Sequence, residues 1–332
     1  MRTSLTERLG ITAPIIQAPM GGASCPALAA AVSNAGGLGM LALSWSDAVD
    51  IRRQIGETRA LTDRPFGVNL VLARPQDDRL AACLEAGVRI VSLFWGDPAP
   101  FAARIHAAGA VLIHTADSAA DARRAAAAGA DVIAAQGWEA GGHVRGEVAT
   151  LPLVRAVVEA VRPIPVAAAG GIADGRGLAA VLMLGAHGAW IGTRFLASGE
   201  AAIHPLYRQR LIAACETDTV HTGLFDVGWP DAPHRVLHNA TVEGWEAAGR
   251  PPPGSRPGEG ETVARTADGA PMLRYQSATP RAGATGDIAA LSLWAGQGVA
   301  RVTKVKPAAE IVRELLDEAR AALREAAALA RT

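Results

Sequence analysis

One repeated unit limits what this chain can fold into. A short apolar run is followed by an alanine-rich helical stretch and a brief link, and the cycle returns eight times between residues 15 and 196. The apolar runs cover residues 15–19, 38–43, 66–71, 90–95, 111–115, 132–135, 165–169 and 189–196. Helices are predicted between and after them, over 25–35, 46–59, 77–86, 101–108, 118–128, 151–161, 178–184 and 200–215. Ser46 and Asp47 are N-cap candidates for the second of these, and Ser118 for the fifth. Gly87, Gly109, Gly129 and Gly185 follow helix ends, where a left-handed C-cap needs glycine. The runs lack polar alternation, the pattern of parallel strands buried on both faces. Eight such units predict a closed (β/α)8 barrel, the TIM-barrel architecture. A doubly wound open sheet is the alternative, and it gives no reason for eight.

Past Glu216 the rhythm breaks. Residues 216–286 are rich in turn formers and predict a smaller inserted substrate or cap subdomain, with the barrel formed by 1–215 and 287–332. Within the insert a helix is expected over 239–248, little else repeats, and 250–261 reads as an exposed loop. Residues 287–293 look helical, 294–298 form a loop, and 307–330 form a strong helix that completes the outer ring of the barrel.

Charge and cysteine content exclude several functions. The 32 basic and 32 acidic side chains cancel, so there is no electrostatic case for nucleic acid or an anionic membrane as partner. Cys25, Cys83 and Cys215 are widely spaced, with no CxxC pair and no Cys/His ligand spacing, so neither a metal site nor a disulfide scaffold is expected. A cytoplasmic location fits. The opening MRTSLTERLG is polar, lacks the apolar core of a signal peptide and runs directly into the first strand. No apolar stretch reaches the length of a membrane span.

In a barrel of this kind, chemistry collects at the C-terminal ends of the strands. That rim would gather Pro19, Met20, Asn69, His114, the stretch from Gln136 to His143, Gly170, Gly171, Gly192 and Thr193. Loops after strands seven and eight commonly cradle a phosphate, because glycine lets backbone N–H groups approach an anion closely. Gly170-Gly171 and Gly192-Thr193 hold those places and favour a phosphorylated ligand, a cofactor or a sugar phosphate. No GxGxxG follows a strand, so a Rossmann dinucleotide site is not supported. His143 projects from a glycine-flexible stretch just past a buried strand. Alone, such a histidine more often packs or caps; on the rim, across from a phosphate cradle, it becomes the catalytic candidate. His114 is a weaker candidate for ligand contact, and His187, His204, His221, His234 and His238 read as surface or structural. Trp95 and Trp138 suit a pocket wall or the core equally. Glu139 is expected to orient its loop, Asp174 to cap a helix, and Tyr275 to be at most a marginal pocket residue.

The motifs PIIQAPMGG at 14–22, FGVNL at 66–70, AQGWEAGGH at 135–143 and AAGGIADGRGLAAVLMLGAHGAWIGTRFL at 168–196 together resemble the nitronate monooxygenase family, formerly called 2-nitropropane dioxygenases. WAGQGV at 294–299 resembles its C-terminal motif, so the resemblance spans almost the whole chain. It implies non-covalent FMN in a TIM barrel, a smaller substrate domain after strand eight, and oxidation of alkyl nitronates by O2 to carbonyl compounds and nitrite. By that resemblance Ala18, Pro19 and Met20 lie against the flavin ring, and Asn69 and Gln136 hydrogen-bond its polar edge. Gly142 contacts the ribityl or phosphate side. Ala169, Gly170, Gly171, Gly192 and Thr193 hold the 5′-phosphate, His143 is the catalytic histidine, and Gln297 with Gly296 approaches from the C-terminal loop. Neutral nitroalkanes and propionate 3-nitronate are further substrates within its scope. A homodimer is compatible with the sequence, since a barrel surface can dimerise without a readable motif.

Two other functions compete. A flavin-dependent enoyl-ACP reductase using NAD(P)H shares the glycine and histidine motifs. A flavin-binding protein without turnover is the other, and the complete His143 loop argues against it.

Overall fold

The computed structural model describes residues 1–329. Its centre is an eight-stranded parallel barrel built from Ile15–Gln17, Gly39–Ala42, Phe66–Val71, Ile90–Phe94, Val111–Ala116, Val132–Gln136, Val166–Ala169 and Gly188–Ile191. The eighth strand pairs with the first, and a bridge between Ile16 and Leu38 joins the first to the second. The Gln17 side chain reinforces that seam, its Oε1 accepting from the Met40 N–H at 2.9 Å. Strand periodicity sorts side chains between two apolar layers. Ile16, Met40, Ile90, Ile113, Val132, Ala134 and Ala167 fill the barrel, while Leu41, Val68, Val91, Leu112, Ile133 and Ala168 pack against the surrounding helices.

The helices follow the predicted order. Asp47 caps Ala48–Leu61, and Ser118 caps Ala119–Ala127. The eighth barrel helix is Ala308–Leu329 at the end of the chain, packed between Gly175–Met183 and Pro26–Asn34. Ala330, the expected last residue of that helix, lies outside the described residues. Among the described residues, no helix is long and apolar enough to cross a membrane.

Four local expectations need correction. Residues 3–9 are not a plain polar lead-in. Thr3 caps the helix Ser4–Leu9, whose Leu5 and Leu9 join the apolar filling of the barrel. The eighth strand ends at Ile191; Gly192 breaks it, and Thr193–Leu196 form a helical turn. Apolar residues continue through both pieces, so periodicity alone cannot separate them. Residues 287–293 hold only the 3-10 turn Ile288–Ala290. The inserted segment is more ordered than its composition suggests. Thr219–Thr222 and His234–Leu237 pair antiparallel, and a second small sheet contains Thr262–Arg265, Pro271–Leu273 and Thr285–Gly286. These strands are too short to show a period of two. The 250–261 loop is also pinned, because buried Arg256 bonds Asp226, Glu259 and the Leu224 carbonyl.

Candidate active site

A cavity of about 1170 Å³ opens at the C-terminal ends of the barrel strands, under the inserted segment. Ala18, Pro19, Met20, Asn69, Gln136, Gly142, His143, Ala169, Gly170, Gly171, Gly192 and Thr193 all line it. Gln297 does not; its neighbours Gly296 and Gly298 do, while the Gln297 N–H is held by the Glu139 carbonyl at 3.0 Å. His114 is absent from the cavity as well. It alternates with inward-facing Ile113 and sits on the helix side of its strand, 2% exposed. Burial there lowers its pKa to about 4.

One side of the cavity is backbone. Gly170 has φ +105, and a Cβ on it would lie 2.7 Å from Thr150 Oγ1 and 3.0 Å from the Gly137 carbonyl. Only glycine suits that conformation and that contact. The N–H groups of Gly171 and Thr193 have no protein acceptor among the described residues, while the Thr193 hydroxyl accepts from the Gly296 N–H at 3.0 Å. Exposed backbone donors beside a short helical turn suit an anionic group. Asn69 is 5% exposed, and no protein group among the described residues bonds its side-chain amide. Its amide reaches the cavity and is free to bond a ligand there.

The other side is made of rings. Past Gln136 the chain turns and pairs Gly142–His143 with His234–Leu237, so the His143 loop becomes the third strand of the first small sheet of the insert. Gly141 permits this route. A Cβ there would meet the Ala295–Gly296 backbone at 2.4–2.5 Å, so its role is close packing against the C-terminal loop. Gln136 Nε2 donates to the His143 carbonyl at 3.1 Å, and Glu139 accepts from the Thr150 N–H and hydroxyl at 2.8 and 2.7 Å. Arg235, 1% exposed, lies over the Trp138 ring and donates twice to the Trp138 carbonyl. Burial lowers its pKa, and Glu139 opposes that shift.

The imidazole of His143 stacks on Trp229, ring centroids 3.9 Å apart, with Trp294 at 5.2 Å, His234 at 5.5 Å and Trp95 at 6.1 Å. Its Nε2 is 3.3 Å from Ser277 Oγ. Burial among these groups, with a small contribution from His234, lowers its pKa to about 3. At neutral pH it is therefore an uncharged imidazole, free to form a hydrogen bond, and the same burial that keeps it neutral weakens it as a base. His234 is structural: its Nε2 accepts from the Phe225 N–H and its Nδ1 donates to the Ala232 carbonyl.

Sequence reasoning did not single out Trp229, Trp294, Ser277 or Arg235. All four come from the insert or the loop after it. Tryptophans in an otherwise turn-rich segment were the one available signal. Tyr275 does not reach the cavity; it is buried inside the insert, its hydroxyl bonded to the Pro257 carbonyl and Arg256 over its ring. Trp138 packs under Arg235 and does not line the cavity.

The chain resembles known proteins over nearly its full length. A family model described as nitronate monooxygenase matches residues 2–80 and 72–318. A nitronate monooxygenase of Paraburkholderia phytofirmans is 36% identical, covering 95% of this chain and 94% of that protein. A 5-hydroxy-7a-methyl-1-oxo-octahydroindene-4-carboxyl-CoA dehydrogenase of Mycobacterium tuberculosis is 41% identical over 75% of this chain and 70% of its own length. Among solved structures, FabK from Thermotoga maritima superposes with a TM-score of 0.86 at 36% identity, covering 99% of each chain. Nitroalkane oxidase from Streptomyces ansochromogenes gives a TM-score of 0.78 at 32% identity, covering 97% of this chain and 99% of that one. The chain belongs to the nitronate monooxygenase family, a family of flavin-dependent oxidoreductases.

Proposed function

We propose that the chain binds FMN and oxidises alkyl nitronates with O2 to a carbonyl compound and nitrite. The observation that carries this reading is the pairing, in one cavity, of an uncharged His143 with backbone donors suited to a phosphate. The residues fit FMN on their own terms. Gly171 and Thr193 offer unpaired N–H groups, Asn69 offers an unpaired amide, and a Cβ on Gly192 would point towards Ala18 and Met20. In this reading Ala169, Gly170, Gly171, Gly192 and Thr193 hold the 5′-phosphate, and Ala18, Pro19 and Met20 support the ring. Asn69 and Gln136 face its polar edge, Gly142 contacts the ribityl side, and Gln297 positions the C-terminal loop. Held by these residues, FMN would supply the redox chemistry between substrate and O2.

His143 supplies the protein's own chemistry. With a neutral nitroalkane its imidazole takes the proton from the carbon next to the nitro group. With a nitronate no proton need move, and an uncharged imidazole contributes a hydrogen bond rather than a countercharge. Ser277 orients Nε2, and the surrounding rings exclude water. Residues 216–286 act as the substrate cap, since Trp229 and Ser277 reach the cavity from there.

The first test is a visible spectrum of the purified protein, followed by a nitrite assay with an alkyl nitronate in air. Oxidised-flavin bands and nitrite release are expected; a colourless protein that cannot be reconstituted with FMN overturns the reading. The likeness to a dehydrogenase named for a CoA-linked substrate supports a second reading, a flavin enzyme acting on thioesters, such as an enoyl-ACP reductase using NAD(P)H. Anaerobic mixing separates the two: rapid flavin bleaching by NADH favours the reductase, and bleaching by the nitronate alone favours the oxidase.

A further inference from the structure

The cavity, at about 1170 Å³, is larger than the roughly 300–1,000 Å³ common for small-molecule sites. Its wall near His143 has a distinct character. Trp294 lies on one side of the imidazole and Trp229 stacks on it. Trp45 then packs on Trp229, with ring centroids 5.6 Å apart, and all three tryptophans line the cavity. Trp45 is 52% exposed, so the row of rings leads from the base out to solvent. Val71 and Phe94 line the same cavity and cluster with Trp229.

Polar groups near the outer end are already engaged. The Arg74 guanidinium donates to the Gly228 carbonyl at 2.6 Å. Asp47 accepts from the Asp50 N–H as a helix cap, and the Asp50 carboxylate accepts from Ser46 and Gln54. Arg281 also lines the cavity, beside Gly22, Arg74 keeps its positive charge, and the Asp50 carboxylate is paired with Arg53, so it is the apolar character of Trp229, Trp45, Val71 and Phe94 that favours an uncharged tail. An exposed indole gains when apolar surface covers it.

We propose that the row Trp229–Trp45 is a subsite for an uncharged apolar tail of the substrate, an aromatic ring or a long alkyl chain, whose anionic head lies at His143. The inference rests on the proposed nitronate chemistry only for the identity of that head. It narrows the substrate class from small nitronates to those carrying a substantial hydrophobic group.

The test uses the full chain loaded with FMN and two readouts. In calorimetric titrations with carboxylates, which mimic the planar anionic head, affinity should rise by about fourfold per methylene from acetate to hexanoate. 3-Phenylpropanoate should bind tighter still, and adipate, with a charged tail, no better than acetate. Trp45→Ala should cut the phenylpropanoate-to-acetate affinity ratio by about tenfold or more, and Trp45→Phe should restore most of it. In nitrite assays, the ratio of kcat/KM for 2-phenyl-1-nitroethane nitronate to that for nitroethane nitronate should fall in parallel. A flat carboxylate series, adipate matching hexanoate, or a ratio unmoved by Trp45→Ala overturns the subsite. If no nitronate yields nitrite, the proposed reaction fails alone, because the affinity ratios need no turnover and still decide the subsite.

Discussion

The two walls of the cavity are built by opposite means. The side formed after strands seven and eight is backbone: Gly170, Gly171 and Gly192 keep side chains away and leave N–H groups open. The side under the insert is side chain: Trp229, Trp294, His234 and Ser277 surround one imidazole. A backbone wall recognises charge, and at Gly170 it has no room for a side chain. A side-chain wall sets the protonation state and shape of the reacting group, and it can vary without disturbing the barrel. The two walls should therefore fail differently when altered.

The largest difference is expected at the reacting group itself. His143→Ala should keep bound FMN yet lose about 10²–10⁴-fold in turnover of neutral nitroalkanes, the usual worth of general-base help. Steady-state nitrite release together with the flavin spectrum checks both halves; near-wild-type turnover on both forms of the substrate would remove His143 from the mechanism. The mirror-image change is Gly170→Ala. It forces a side chain into a left-handed backbone against Thr150 and Gly137. A strain of about 1–3 kcal/mol at this site should weaken FMN retention roughly ten- to hundredfold. Equilibrium dialysis of FMN measures that loss, and unaltered retention would mean the cradle is not where phosphate binds.

Acid sensitivity sets the buried histidines, His143 and His234 on the ring side and His114 in the helix layer, apart from the glycine wall. In the unfolded chain histidine titrates near 6.5. In the fold His114 and His234 stay neutral down to about 4 and His143 to about 3. Below pH 6.5 the unfolded chain binds protons that the folded chain refuses. Stability is then whole above pH 6.5 and falls as the pH drops towards 4, by up to about 1.4 kcal/mol per pH unit for each histidine. Thermal melts between pH 7 and 4.5 should show Tm falling, with a shallower fall in His114→Gln; a Tm that climbs on acidification contradicts the neutral state. The smallest effect is expected for Ser277→Ala, which removes one hydrogen bond worth about 0.5–1.5 kcal/mol. That predicts a two- to tenfold loss in kcat/KM, about the span of 0.5–1.5 kcal/mol. FMN affinity should be unchanged, since Ser277 lies on the ring side.

Legibility in the sequence follows the same division. The glycine pairs and the strand–helix cycle are local patterns, so the glycine-lined wall and the barrel could be read directly. The ring side could not, because Trp229, Ser277 and Trp294 lie far along the chain and meet His143 only through tertiary contacts. Gly141 belongs to a stretch that reads as flexible, whereas it packs closely against the Ala295–Gly296 backbone. The helix Ser4–Leu9 was missed because its reciprocal cap uses Thr6 in place of the usual Glu or Gln.

His114 and His143 show where local pattern stops. Both are histidines at or just beyond the end of a buried strand, and spacing alone offers the same rim position to each. The amino-acid sequence determined the barrel, because apolar runs, helix caps and glycine stops act within a few residues of one another. Only the tertiary structure decided that His114 turns outward into the helix layer while His143 joins a sheet of the insert, stacks on a tryptophan 86 residues away and stays uncharged. Closure of the barrel fixes which face of each strand points inward, and desolvation by distant rings fixes a pKa. Neither quantity exists until those parts of the chain meet.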